Sequence, residues 1–227
     1  METTVKILSQ AKQVPLVTLS QSVAGKLKDE NTLAGNIPPE EGGTAPEQLQ
    51  DLELVRRSQA GETEAFGQLI TKYRTKIFAM VCGMVSNEHD ARDLAQEAFL
   101  KAWQSIGRFE GRSSFYTWLY RIAINVTIYS LRRKSSLEER ELNDDIPSSL
   151  PGPGVNCQRL EIRERVDSAL AKLSPEHRAV VVLKELEGLQ YHEIAEVLNL
   201  SIGTVMSRLF YARKHLQSLL KPYLQFV

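Results

Sequence analysis

The chain has 227 residues, of which 42% are hydrophobic and 25% are charged, and 28 Lys/Arg balance 28 Asp/Glu. This composition is typical of a globular protein, and no apolar run approaches the length of a membrane span. The zero net charge excludes a chain that is basic over its whole length and binds a polyanion throughout. The charge is unevenly distributed, however. Residues 51–135 hold 13 Lys/Arg against 9 Asp/Glu, and residues 203–221 hold no acid. A local excess of positive charge, rather than the net charge of the whole chain, decides where a polyanion binds.

The two cysteines, Cys82 and Cys157, have no CxxC partner and no histidine at metal-ligand spacing. Cys82 lies in an apolar helical run, which predicts a small core residue. Lone cysteines suit a reducing cytosol, and the N-terminus lacks a basic-then-apolar signal pattern. We therefore expect a cytoplasmic protein without a metal, a cofactor or a small-molecule substrate.

The first 48 residues are rich in Thr, Ser, Gln and Gly and contain the run IPPEEGG at 37–43. Such a composition predicts a disordered N-terminal extension over 1–48. A scatter of apolar residues at 14–19 leaves open a short element that orders on a partner.

No proline falls between Glu47 and Ile146, so a block of about a hundred residues is free to be helical. Apolar residues at spacings of three and four predict helices from Leu49 to Gly61, from Glu64 to Val85, from about Glu88 to Ser105 and from about Phe115 to Arg133. Asn87 is placed to cap the third of these. Residues 49–135 are thus predicted to form one helical bundle domain.

An acidic and then Pro/Gly-rich segment, 136–160, predicts a flexible linker. The domain over 161–227 follows, in which Ser174-Pro175 is a strong helix start. Two further helices, 191–198 and 203–220, are separated by the turn 199–201. The predicted fold class is therefore all-α, with two helical domains joined by an acidic linker.

The last two helices have the pattern of a helix-turn-helix over 191–215. Val205, Leu209, Ala212 and Leu216 follow one another at spacings of four, three and four and predict the buried stripe of the second helix. The opposite face is polar and basic and contains no acid. In DNA-binding versions, the N-terminal residues of such a helix meet base edges in the major groove. The alternative is an ordinary helical hairpin with a solvated basic face.

The stretch from Asp90 to Arg133 combines an acidic, amide-bearing helix with a Gly-punctuated loop of aromatic and basic residues. Aromatic rings interleaved with cations suit single-stranded nucleic acid, since bases stack on rings while phosphates pair with cations. The alternatives are a solvated helix face and, for Trp118, a place in the core. No paired ligand set, phosphate-binding Gly-Lys loop or activated nucleophile is apparent. We therefore expect no enzymatic activity.

Three blocks carry a resemblance to a known family: DLAQEAF at 93–99, FYTWLYRIAIN at 115–125 and SIGTVMSRL at 201–209. They resemble the extracytoplasmic-function (group 4) sigma factors of the sigma-70 family over about 49–221. The resemblance implies an alternative sigma factor with a region 2 domain for core RNA polymerase and the −10 element. It also implies a region 4 domain for the −35 element and the beta flap. An anti-sigma factor, often membrane-anchored, is an expected partner.

The resemblance also implies roles for individual residues. The surface that docks on the clamp helices of the beta-prime subunit would include Asp93, Gln96, Glu97 and Phe99. The −10 DNA surface would include Arg108, Phe109, Arg112, Ser113, Asn125, Arg132 and Arg133, with Lys134 also suited to phosphates. The −35 DNA surface would include Gly203, Thr204, Met206, Ser207, Arg208, Phe210, Tyr211 and Lys214. The linker's acids would mimic RNA charge.

Met206 and Tyr211 depart from the family, because these recognition-helix positions are often basic in close relatives. An arginine there can read guanine bidentately, whereas methionine cannot and tyrosine offers one hydroxyl. The sequence therefore predicts −35 recognition through phosphate contacts by Arg208, Arg213 and Lys214, and through DNA shape.

Two other classes of function are the rivals. A free-standing helix-turn-helix regulator with an N-terminal interaction bundle would bind DNA without polymerase. An enzyme acting on nucleic acid would need a metal site or a nucleophile, and the four histidines have no carboxylate pairing that indicates ligation.

Overall fold

The computed structural model describes residues 45–138 and 165–221. The first range contains α1 (Ala45–Gln59), α2 (Thr63–Met84), α3 (Glu88–Ser105), a 3₁₀ turn (Ile106–Arg108) and α4 (Phe115–Glu138). The second contains α5, described over 165–171, α6 (Pro175–Val181), a π-helical turn (Val182–Leu186), α7 (Tyr191–Leu198) and α8 (Ile202–Leu220). Neither range contains a β-strand, so the predicted all-helical class is confirmed. The predicted extension up to residue 44 and the linker from residue 139 lie outside the described residues.

Two helix boundaries differ from the predicted ones. α1 begins at Ala45 rather than Leu49, because Pro46 sits in the first turn, where a helix tolerates proline. α4 continues to Glu138, several residues beyond the predicted end at Arg133. The predicted capping of α3 is confirmed, since the Asn87 side chain accepts a hydrogen bond of 2.8 Å from the His89 amide. Ser174 likewise caps α6.

The first helical unit, α1 to α4, is organised around the apolar stripe of α2. Leu69, Ile77 and Met80 are fully buried, as their spacing of three and four predicts. The Tyr73 hydroxyl on the same stripe donates to the buried Asp51 carboxylate of α1. Burial, followed by this hydrogen bond, raises the pKa of Tyr73 well above its usual range.

The second helical unit, from α5 to α8, packs directly against the first, and one continuous set of buried side chains runs through both. Arg178 of α6 is buried at the junction and donates from Nη1 to the Met84 carbonyl at 2.7 Å. Next to it, Gly83 faces the π-helical turn. A Cβ at this position would lie 2.9 Å from Leu186 Cδ1 and 3.1 Å from Val182 Cγ1. The absence of a side chain at Gly83 therefore lets the two units approach closely.

Two neighbouring carboxylates at the π-helical turn accept hydrogen bonds from two different helices. Glu185 accepts from Arg213 Nε of α8 at 2.9 Å, whereas Glu187 accepts from the Tyr120 hydroxyl of α4 at 2.8 Å. The turn closes with the Glu187 amide on the Val182 carbonyl, five residues back. Single π-turns of this kind are frequent at functional sites. Here the turn ties α8 and α4 to the same short segment.

Replacement of Gly83 tests the close approach. We expect Gly83→Ala to be less stable than Gly67→Ala by about 1–3 kcal/mol, because the added methyl overpacks against the buried Val182. Gly67 lies in the same helix with nothing within 4 Å of an added Cβ, so Gly67→Ala should gain about 0.5–1 kcal/mol in helix propensity. The measurement is the free energy of unfolding in urea. Equal stabilisation by both substitutions would contradict this close packing.

Candidate nucleic-acid interface

The turn between α7 and α8 has the geometry of a helix-turn-helix. Asn199 ends α7 with a left-handed backbone (φ 52°), which asparagine tolerates better than most residues. The Leu200 amide then bonds back to the Ala195 carbonyl at 2.9 Å. Ser201 caps α8, its Oγ accepting from the Thr204 amide at 3.1 Å. The predicted turn is confirmed, and its two helices pack on each other.

The inward face of α8 is the predicted one: Val205, Leu209, Ala212 and Leu216 are all buried. The outward face is more apolar than the sequence reading suggested. Met206, Phe210 and Tyr211 are 53%, 51% and 61% exposed, and Ile202 at the helix start is 48% exposed. The Phe210 and Tyr211 rings meet edge to face, with centroids 5.5 Å apart.

Arg213 does not belong to the outward face. Its guanidinium pairs with Glu185, and the Arg213 and Glu185 side chains are only 24% and 8% exposed. The expectation that Arg213 contacts phosphate is therefore wrong for this arrangement, since its charge is already neutralised inside the protein. Arg208 is half-buried and Lys214 is exposed, so these two remain as cations on the accessible sides of α8.

The first turn of α8 presents small polar residues. A Cβ at Gly203 would meet only Ser201 Oγ at 3.9 Å, so packing within the fold does not require glycine there. Ser207 Oγ donates to the Thr204 carbonyl at 3.0 Å and is otherwise exposed. These residues leave the helix start open to close approach by a ligand.

On α3, Asp93, Gln96 and Glu97 are exposed on one face, whereas Phe99 is half-buried against the core. Asp93 pairs with His89 and Glu97 pairs with Lys101, both one turn apart along the surface. Sequence reasoning missed Leu100, which is 55% exposed. Its spacing of three and four from Glu97 and Gln96 was the available signal. A single exposed leucine is normal at a protein surface, so Leu100 gains meaning only from the polar face on which it lies.

The loop between the 3₁₀ turn and α4 differs from its prediction at one residue. Phe109 is only 8% exposed and packs on Phe115 and Trp118, with centroids 6.0 and 5.3 Å away. It therefore cannot offer a face to a nucleic-acid base. Its burial follows from its ring filling the space under the loop, whose backbone is held by Gln59. The prediction that Trp118 belongs to the core is confirmed, since Trp118 is partly buried against it.

The remaining loop residues are accessible. Arg108 and Arg112 are exposed, and Arg112 forms a solvent-facing ion pair with Glu110 at 2.6 Å. Such a pair is worth little and can exchange for a phosphate. Ser113 is half-buried, and Gly111 has a positive φ of 72° that favours glycine.

On α4, Asn125 and Arg133 are exposed, and between them lies Tyr129, 65% exposed. These three residues are spaced by four and so share one side of the helix. Sequence reasoning missed Tyr129, although this spacing was its signal. Arg132 instead pairs with Glu176 of α6, its Nε lying 2.7 Å from Oε1. Arg132 is itself exposed and such a pair can exchange for a phosphate, so its assignment to the −10 surface stays a prediction. Lys134 lies 3.7 Å from Asp90.

Within 45–138 and 165–221, no group of three or more His, Cys, Asp or Glu side chains could hold a metal ion. In the same ranges, none of the helices is long and apolar enough to cross a membrane.

Two family models match the chain: Sigma-70 region 2 over residues 69–137, and Sigma-70, region 4 over residues 163–216. The RNA polymerase sigma-H factor of Pseudomonas aeruginosa is 38% identical over 188 residues, covering 78% of this chain and 97% of that protein. The ECF RNA polymerase sigma-E factor of Escherichia coli (strain K12) is 35% identical over 189 residues, covering 79% and 98%.

Solved structures give the same picture. CnrH in complex with the cytosolic domain of CnrY matches with a TM-score of 0.57 at 29% identity, covering 76% of this chain and 98% of that one. The sigma factor RpoE in complex with the anti-sigma factor NepR from Bartonella quintana matches with a TM-score of 0.55 at 28% identity, covering 69% and 96%.

The cap of α8 can be tested by itself. Ser201→Ala removes the hydrogen bond to the Thr204 amide and should lower the free energy of unfolding by about 1 kcal/mol. Ser218→Ala is the matched control, because Ser218 lies in the same helix and bonds only to the His215 carbonyl. We expect it to change stability by less than about 0.5 kcal/mol. An equal effect of both serines in urea unfolding would argue against the cap.

Proposed function

The chain belongs to the extracytoplasmic-function group of the sigma-70 family and serves as an alternative sigma factor. From this premise we propose which of its surfaces binds each partner. As such a factor it binds core RNA polymerase, recognises the −10 and −35 promoter elements and helps melt DNA. The observation that carries the assignment of surfaces is the acid-free outward face of α8, set in a helix-turn-helix. We place region 2 over 49–135 and region 4 over 161–227, with the linker beginning only after α4 ends at Glu138.

For the −35 element we propose α8 as the helix that enters the major groove. A groove about 12 Å wide admits one α-helix, whose first turns meet base edges. Gly203, Thr204 and Ser207 lie in those turns and present little bulk. Ser201 satisfies the Thr204 amide, and the other amides of the first turn, which have no partner within the helix, suit a flanking phosphate. Arg208 and Lys214 supply positive charge on either side.

For core polymerase we propose the exposed face of α3. Asp93, Gln96 and Glu97 provide polar contacts, and Leu100 provides the apolar one that a protein interface needs near its centre. Phe99 supports this face from below, because it is partly buried against the core.

For the melted −10 element we propose the loop 107–114 together with the Asn125–Tyr129–Arg133 side of α4. Tyr129 replaces Phe109 as the stacking ring, because Tyr129 is exposed and Phe109 is buried. Arg133 lies one turn from Tyr129, so a stacked base and its phosphate can be held together. Unstacking a base costs a few kcal/mol, which a stacking platform offsets.

Two further assignments rest on the function and its relatives. A subunit of RNA polymerase works beside the nucleoid, which places this chain in the cytoplasm, and sigma factors act without catalysing a reaction themselves. Solved relatives were captured with the cytosolic domain of CnrY and with the anti-sigma factor NepR. We expect an anti-sigma factor to bind this chain as well.

The direct test is run-off transcription with bacterial core polymerase, with and without this protein, on a library of promoter fragments. Start sites that appear only with the protein would establish its promoters and yield both elements together. Absence of such starts, combined with sequence-specific DNA binding by the protein alone, would favour a free-standing helix-turn-helix regulator.

Charge reversal on α3 should disrupt polymerase binding. We expect Glu97→Lys to weaken binding to core polymerase at least tenfold, because it inverts the charge at the centre of the proposed face. Glu53→Lys, an equal reversal at an exposed residue of α1, is the control and should bind normally. Binding is measured by fluorescence titration of labelled protein with core enzyme. Normal binding by Glu97→Lys would remove this face from the proposal.

Loss of the Tyr129 ring should impair promoter melting. In holoenzyme, Tyr129→Ala should weaken binding to a single-stranded −10 oligonucleotide by about 1–3 kcal/mol, the value of one stacked base. Tyr129→Phe keeps the ring and should bind almost as the wild type does. Because Tyr129 is exposed, neither change should alter stability by more than about 0.5 kcal/mol. Equal affinities for all three proteins would show that the base stacks elsewhere.

A further inference from the structure

The outward face of α8 carries more apolar surface than a solvated helix needs. Three large side chains, Met206, Phe210 and Tyr211, are each more than half exposed within two turns of one helix. Single exposed apolar residues need no explanation, but a contiguous group marks an interaction site. We call these three residues the apolar ridge.

We propose that the apolar ridge reads the C5 methyl groups of thymine in the −35 element, so that T·A pairs dominate recognition at the positions it faces. This proposal rests on the proposed function of α8 and adds its base specificity. Thymine is the only base that presents a methyl group in the major groove, and apolar side chains are what recognise it.

The geometry of the ridge suits this role. Met206 and Phe210 are four residues apart, so they stand one above the other on the helix. Tyr211 adjoins Phe210 with the two rings at 77° and their centroids 5.5 Å apart, an edge-to-face contact that restrains both rings. Methionine is unbranched and adapts to irregular gaps. The ridge is therefore a partly pre-organised apolar surface with one adaptable member.

The cations around the ridge point to DNA rather than to a protein as its occupant. The helix carries no acid from Ile202 to Leu220, and Lys214 continues the line of Met206 and Phe210 by one further turn. An apolar contact with another protein does not require a helix without acidic residues. Binding to a polyanion does, because acidic residues would repel it.

Guanine readout at the positions that Met206 and Phe210 face would fall to Lys214, because Arg213 is paired and Arg208 lies on another side of the helix. Bidentate recognition of guanine needs an accessible guanidinium or ammonium group. Arg213 is held by Glu185 inside the protein. Arg208 lies two residues from both Met206 and Phe210, which turns it by roughly 200° around the helix from each, and it adjoins the ridge only at Tyr211, three residues on. The ridge itself thus offers methyl-sized apolar contacts and a single hydroxyl.

Replacement of thymine by deoxyuridine is the test, because it deletes the methyl group and leaves base pairing intact. Duplex promoters selected in the run-off library would carry deoxyuridine at single −35 positions, and binding and transcription would be measured with holoenzyme. At thymines under the ridge we expect about fourfold weaker binding per methyl group, the value of one buried methylene. Deoxyuridine in the spacer between the elements is the control and should have no effect.

The protein side of the same test is Met206→Ala, which should abolish the difference between thymine and deoxyuridine at one position. Met206→Leu keeps an apolar side chain and should preserve it. Both variants change an exposed residue, so urea unfolding should show that each is as stable as the wild type. Met206→Arg should shift the preferred base at that position toward guanine.

Three results would overturn the proposal: no effect of deoxyuridine anywhere in the −35 element, an effect that Met206→Ala leaves unchanged, or selected −35 elements without thymine under the ridge. Each can occur while promoter-dependent transcription is intact, so it counts against methyl readout alone. Loss of all promoter-specific starts with the wild-type protein would instead count against the proposed function.

Discussion

The Arg178 guanidinium, buried between the two helical units, is the interaction on which the arrangement of the whole described chain depends. Burial lowers the pKa of Arg178, yet an arginine stays charged in a protein, so this charge must be stabilised where it lies. Its partner is the Met84 carbonyl at the end of α2, where the helix dipole places partial negative charge. Removing either partner would leave a buried polar group without its hydrogen bond. The free-energy cost of such a group exceeds the stabilisation that a surface ion pair provides.

Around Arg178, the junction links the surfaces proposed for the two promoter elements. Glu187 receives the Tyr120 hydroxyl from α4, and Glu185, two residues before it, receives Arg213 from α8. α4 carries the Tyr129 side proposed for the −10 element, and α8 carries the apolar ridge. Displacement of the π-helical turn would therefore be transmitted to both helices through hydrogen bonds to charged groups. These are stronger than neutral ones.

Sequence periodicity predicted the four helices of the first unit and the helix-turn-helix with their inward faces, because a buried stripe repeats with the helix and needs no knowledge of its partner. It did not predict the helix over 165–171 or the π-helical turn. The functional side chains were harder to place, since their availability depends on residues distant in sequence. Arg213 and Arg132 are both basic and both suited to phosphate, but Arg213 is held by Glu185 in a largely buried pair, whereas Arg132 pairs with Glu176 at the surface. Phe109 looked like a stacking ring and is buried beneath its loop. Leu100 follows Gln96 by four residues and Tyr129 follows Asn125 by four, so the sequence places each beside a predicted site residue. Only their exposure in the structure distinguishes them from core residues.

The internal use of Arg213 has a consequence for how α8 can work. Sequence-independent affinity for DNA grows with the number of phosphates that cations neutralise. With Arg213 paired to Glu185, α8 retains Arg208 and Lys214 for the DNA backbone, so its electrostatic contribution is smaller than its sequence predicts. Apolar contacts add discrimination between bases but little long-range attraction. A region 4 of this kind binds its element well only when another contact holds it close, as multivalent binding allows. Core polymerase, bound through the face proposed on α3, would provide that contact, and a regulator acting alone would have no substitute for it.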